Sequence, residues 1–203
     1  MFWYEEDIKH LEQKINALKA QPNMIFYGSS TIRLWTLLEK DFAHYNPINL
    51  GFGGSTLAAC VWFYDRIFAK LKPTSIVIYA GDNDLGDNRH PEEVFLYYQL
   101  LMFKIRTQFG NIPVFFISIK PSITRFHIID RIKYTNRIIL QEINNDHNDS
   151  FYINLYDKML DDVDFPDRQF FLHDGLHLNA NGYELWKSVI CKYLNDNLPV
   201  ETS

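Results

Sequence analysis

What most restricts the fold of this chain is the alternation of short apolar runs with longer segments of helical pattern. Five runs, Met24–Tyr27, Ile48–Leu50, Ser75–Ala80, Val114–Ser118 and Phe151–Asn154, are separated by stretches that read as helices at 56–71, 92–109 and 130–147, with a last one at 180–196. SIVIYA and VFFIS are nearly unbroken in apolar residues, as expected of parallel strands covered on both faces. Thr56 suits the start of the first of these helices, and Pro91 followed by Glu92 and Glu93 suits the start of the second. Such alternation predicts an α/β fold, a three-layer α/β/α sandwich on a parallel sheet. Ligands of open parallel sheets sit beyond the carboxyl ends of the strands, so chemistry is to be sought in the segments that follow each run.

One more helix is expected at residues 5–19, where Ile8, Leu11, Ile15 and Leu18 form a stripe spaced three and four apart. The stripe must dock, either on the body of its own domain or against a second copy, and it is too short for a sustained heptad pattern. No repeat, linker or low-complexity tract divides the 203 residues, so a single domain over 1–203 is expected. A chain of this mass buries about 70% of its extended surface, enough for one core without staples. Cys60 and Cys191 lie far apart in helical segments and read as free, buried thiols.

The formal charge of -5 gives no warrant for nucleic acid or an anionic membrane as partner and favours small or neutral ligands. No stretch approaches the roughly 18 apolar residues of a membrane span, and the N-terminal MFWYEEDIKHLEQKINALK lacks the basic and apolar regions of a signal peptide. The chain therefore reads as cytoplasmic.

Four short motifs occupy the expected rim. Gly28-Ser29-Ser30 leads from the first strand into a helix, where unpaired backbone N–H groups favour an anion, although Gly-Ser also makes plain turns. Gly51-Phe52-Gly53-Gly54 follows the second strand and lets backbone approach a site closely; neither a P-loop ending nor G-x-G-x-x-G spacing is present. Gly81-Asp82-Asn83-Asp84 follows the third strand, with the Asn83 amide as a candidate donor or a turn former. Near the C-terminus, His173-Asp174-Gly175-Leu176-His177 places a carboxylate within reach of the His177 ring, able to fix its tautomer. A metal site built from Asp82, Asp84, Asp174, His173 and His177 is the rival pattern, weakened by the absence of a Cys donor and by Gly175.

Taken together and in this order, the motifs resemble those of the SGNH hydrolases, also called GDSL-type esterases and lipases, over residues 24–186. The resemblance implies a flavodoxin-like five-stranded sheet. It implies Ser30 as nucleophile, Asp174 and His177 as its partners, and an oxyanion hole from the N–H groups of Ser30 and Gly54 and the Asn83 amide. It implies a serine ester hydrolase acting on a small-molecule ester with a short acyl group, with no metal or cofactor. Ser29 stands where familiar members carry Asp, as in a Gly-Ser-Ser subgroup, and Leu50 stands where that subgroup often carries Arg. A catalytically silent ligand- or carbohydrate-binding module on the same fold is a further alternative. Trp35, Phe52, Phe126, Phe165, Phe170 and Phe171 could wall a pocket or belong to the core. Lys120, Arg125, Arg131, Lys133 and Arg137 form a basic stretch expected to be a solvated helix face, with contact to an anionic substrate group as the sharper alternative.

Overall fold

The computed structural model describes residues 1–146 and 148–198. Its centre is a sheet of five parallel strands, β1 (Met24–Gly28), β2 (Pro47–Gly51), β3 (Ser75–Tyr79), β4 (Val114–Ile117) and β5 (Ser150–Ile153), in the spatial order β2-β1-β3-β4-β5. That is the flavodoxin-like order expected. Each predicted strand lies within a residue or two of its apolar run, with Gly28 facing Gly51 and Tyr79 across the ladder at the carboxyl edge.

Because successive strand residues point to opposite faces, the same strands feed two cores. Ile25, Tyr27, Ile76, Ile78, Val114 and Phe116 face one layer of helices: α1 (Glu5–Asn16), α4 (Leu57–Phe68), α6 (Pro91–Phe109) and α7 (Ile129–Asn145). Phe26, Val77, Tyr79, Phe115, Ile117 and Ile153 face the other, formed by α2 (Ser30–Arg33), α3 (Leu38–Asp41) and α8 (Ala180–Asn197) with Trp35, Trp186, Ile190 and Leu194. A short helix α5 (Asp82–Gly86) follows β3. The stripe Ile8, Leu11 and Ile15 docks on the body of the chain, where Arg66 of α4 pairs with Glu5 and Glu12. The last residue of the helix predicted at 130–147 lies outside the described residues.

Helix starts follow side-chain chemistry. The Thr56 hydroxyl accepts from the Ala59 N–H at 3.0 Å, Asn179 caps α8 through the Gly182 N–H at 3.1 Å, and the Glu93 carboxylate reaches back to the His90 N–H at 2.8 Å behind Pro91. Cys60 is buried and Cys191 partly so; both are free thiols. Leu50 is buried in the core, so its side chain does not line the rim. Among the described residues no helix is long and apolar enough to cross a membrane.

Candidate functional site

At the end of β1 the chain runs so close to β3 that a Cβ on Gly28 would stand 1.9 Å from the Tyr79 carbonyl oxygen; with φ at +141°, the position admits glycine alone. The Ser29 N–H donates to that carbonyl at 2.9 Å, and α2 begins at the next residue. Ser29 is buried while Ser30 is half-buried. The Ser30 Oγ lies 3.5 Å from His177 Nε2, and the Tyr183 hydroxyl of α8 ties α2 down by donating to the Thr31 carbonyl at 3.0 Å.

The segment before α8 presents the histidine. Asp174 Oδ1 accepts from the N–H groups of Leu176 and His177 at 2.9 and 3.0 Å, which folds the segment into a tight turn, and its Oδ2 lies 2.6 Å from His177 Nδ1. Burial works to raise the Asp174 carboxyl, but the ring hydrogen bond and the two backbone donors outweigh it and hold the group down at about 2. With Nδ1 donating to Asp174, Nε2 is left as the acceptor facing Ser30. Thr124 braces the turn through the Asp174 carbonyl. A contact of 3.5 Å is long, as such contacts commonly are before substrate binds.

Gly54, after β2, has φ at +64°, and its N–H is engaged by no hydrogen bond among the described residues. Asn83, in α5 after β3, is held from both sides. Its Nδ2 donates to the Ser55 carbonyl at 3.0 Å, and its Oδ1 accepts from Arg125 at 3.0 Å. The amide orientation is thereby set, with one Nδ2 hydrogen left over. Arg125 also pairs with Asp82 at 2.8 Å, and Lys120 reaches the same carboxylate at 3.3 Å. Burial alone would raise Asp82, but two cations face it and hold it below the usual carboxylate range; Lys120 is lowered by burial, which outweighs the pull of Asp82.

Ser30, Gly54 and Asn83 thus follow β1, β2 and β3, with Asp174 and His177 in the segment before α8, around the carboxyl edge of the sheet where strand order reverses. Other expectations need correction. The basic stretch divides: Lys133 and Arg137 are exposed, as a solvated helix face requires, whereas Lys120 and Arg125 are drawn under the rim by Asp82, and Arg131 donates to the Arg89 carbonyl. The metal pattern disperses, with Asp82 spent on cations, Asp84 accepting the Leu57 N–H at 2.7 Å, and no metal-binding group of three among the described residues. Trp35, Phe52 and Phe171 are core residues, Phe165 and Phe170 are partly buried, and Phe126 is exposed and packs on Phe165. Arg125 and Asp82, named in the sequence as part of a basic stretch and of a metal pattern, are instead supports of the Asn83 segment, a role that their motifs did not indicate.

Fold and geometry together define a flavodoxin-like α/β protein carrying a serine, a histidine and an aspartate in line at its carboxyl edge. The model of the GDSL-like lipase/acylhydrolase family matches residues 15–185, and the chain belongs to that family. Comparison with curated protein sequences finds no match. Among solved structures, the chain is similar to a GDSL-like lipase from Bacteroides thetaiotaomicron, with 21% identity, a TM-score of 0.80, and 94% of this chain and 98% of that one covered. It is similar to the lipase/acylhydrolase from Enterococcus faecalis, with 22% identity, a TM-score of 0.69, and coverage of 89% and 98%. It is also similar to a family 3 carbohydrate esterase from Clostridium thermocellum, with 19% identity, a TM-score of 0.67, and coverage of 87% and 96%. At these identities the structures establish the fold; the family makes the chain a hydrolase of the acylhydrolase kind.

Proposed function

We propose that the protein is a serine ester hydrolase that cleaves a carboxylic ester with a short acyl group through an acyl-enzyme on Ser30. The observation that carries this reading is the hydrogen-bonded line Asp174–His177–Ser30, 2.6 Å at one link and 3.5 Å at the other. His177 Nε2 takes the Ser30 proton as Oγ adds to the ester carbonyl, and the ionised Asp174 holds the ring and stabilises the imidazolium. The charge that develops on the carbonyl oxygen is received by the N–H groups of Ser30 and Gly54 and the spare hydrogen of the Asn83 amide. His177 then protonates the leaving alcohol, and a water activated by the same ring hydrolyses the acyl-enzyme. A short acyl group is the reading we favour, since three of the six aromatic residues considered as pocket walls, Trp35, Phe52 and Phe171, are spent in the core. The resemblance in fold to a carbohydrate esterase makes acylated sugars a substrate class to test.

The reading is tested by comparing wild type with Ser30→Ala on p-nitrophenyl esters of rising chain length and on acetylated sugars. It predicts turnover that is highest on acetyl and butyryl esters and abolished in the variant. Activity that survives in Ser30→Ala contradicts it.

A further inference from the structure

We propose that Asp7 and Tyr4, on the N-terminal segment, are positioning residues that clamp the peptide bearing the Gly54 N–H. The proposal rests on the reading of that N–H as an oxyanion donor. The loop from Gly51 to Gly54 contains three glycines and has little intrinsic stiffness. At Gly54 nothing lies within 4 Å of where a side chain would begin, so the loop tip has no packing to hold it on that side. What holds it comes from elsewhere in the sequence. The Gly53 N–H donates to Asp7 Oδ2 at 2.8 Å, and the Tyr4 hydroxyl donates to the Gly54 carbonyl at 3.0 Å. These bonds engage the groups immediately before and after the Gly53–Gly54 peptide, so displacement of the tip, which would carry the donor off the oxyanion, is resisted at both ends.

The second oxygen of Asp7 pairs with Arg33 at 3.4 Å, and Arg33 closes the helix that Ser30 opens. One carboxylate therefore relates the oxyanion loop to the nucleophile's own element. Tyr4 is itself fixed: it is buried, with its ring edge-on to Phe52 at 5.5 Å and to Phe63 at 6.1 Å. Arg66 holds Glu5 and Glu12 from α4, so the helix carrying Asp7 is pinned to the body on the same face. The Asp7–Arg33 pair is substantially exposed, and exposed pairs contribute little to stability. Its geometric consequence, the setting of a donor, is the larger one.

The test measures kcat and KM on p-nitrophenyl acetate, melting temperature, and the rate of fluorophosphonate labelling at Ser30, for wild type, Asp7→Ala, Asp7→Asn and Tyr4→Phe. A misplacement of about 1 Å can cost on the order of 100-fold, so Asp7→Ala is expected to lose about 10- to 100-fold in kcat with KM nearly unchanged. Asp7→Asn keeps an oxygen for the Gly53 N–H and is expected to recover most of that loss, while Tyr4→Phe, which retains the ring, loses less than Asp7→Ala. Labelling slows in parallel while still reaching Ser30. An Asp7→Ala protein that labels and turns over like wild type overturns the clamp, as does an Asp7→Asn protein no better than Asp7→Ala, or a loss that appears in KM and melting temperature instead of kcat. Failure of wild type to label at Ser30 overturns the catalytic reading itself, and so is distinguishable from failure of the clamp.

Discussion

Asn83 shows how much a single amide is asked to do. Its oxygen is claimed by Arg125 and one of its hydrogens by Ser55, so rotation of the amide would break both bonds at once. A donor held in this way costs no reorganisation when charge appears. Asn83→Ala is therefore expected to lower kcat on the order of 100-fold, equivalent to about 2.7 kcal/mol, with a much smaller change in KM. Steady-state kinetics beside a melting curve check this; unchanged kcat with a lowered melting temperature would make Asn83 a turn residue. The candidacy of Asn83, Ser30, Asp174 and His177 was legible because the first two stand within four residues of a strand end and the last two within one turn of each other. Arg125 was not, since its contact with Asn83 spans 42 positions and depends on the crossing of two rim segments rather than on any local period.

At the scale of the element, the start of α4 couples the glycine loop to the titration of one buried carboxyl. Thr56 caps the helix with its hydroxyl, and Asp84 of α5 accepts the Leu57 N–H at 2.7 Å. Burial pushes the Asp84 carboxyl up to about 6, against the backbone donors and Arg89, which pull the other way. The unfolded chain releases this proton near pH 3.9 and the folded chain nearer 6. Between those values the folded state binds more protons, so stability falls as pH rises through the window, by on the order of 3 kcal/mol from this group. Asp84→Asn, which keeps an acceptor for Leu57, is expected to flatten the urea-unfolding free energy between pH 4 and 6; a slope identical to wild type would contradict it. The long helices and all five strands were readable from their periods. Of the short helices, the start of α2 was readable from Gly28-Ser29-Ser30, but α3 and α5, of four and five residues, were not, because so few residues complete no amphipathic repeat.

Across the whole molecule, the order β2-β1-β3-β4-β5 puts the ends of β1, β2 and β3 side by side, which brings Ser30, Gly54 and Asn83 to one rim from positions up to 53 apart. The alternation of strands and helices implied such a sheet, and the resemblance supplied its order. Neither pointed to the contact of Asp7 with Gly53 across 46 residues, which exists because α1 packs beside α4. The proposed mechanism calls on side chains and backbone donors alone, and Asp82 and Asp84 are committed to cations and to a helix start. Incubation with EDTA is accordingly expected to leave ester hydrolysis unchanged, and a loss restored by added zinc or manganese would revive the metal alternative.

The central claim is that Ser30 is the nucleophile. The measurement closest to it is peptide mapping by mass spectrometry after reaction with a fluorophosphonate, on wild type, Ser29→Ala and Ser30→Ala. The adduct is predicted on Ser30 in wild type and in Ser29→Ala, with none in Ser30→Ala. An adduct that persists in Ser30→Ala, or that maps to Ser29 in the wild-type protein, would contradict the account.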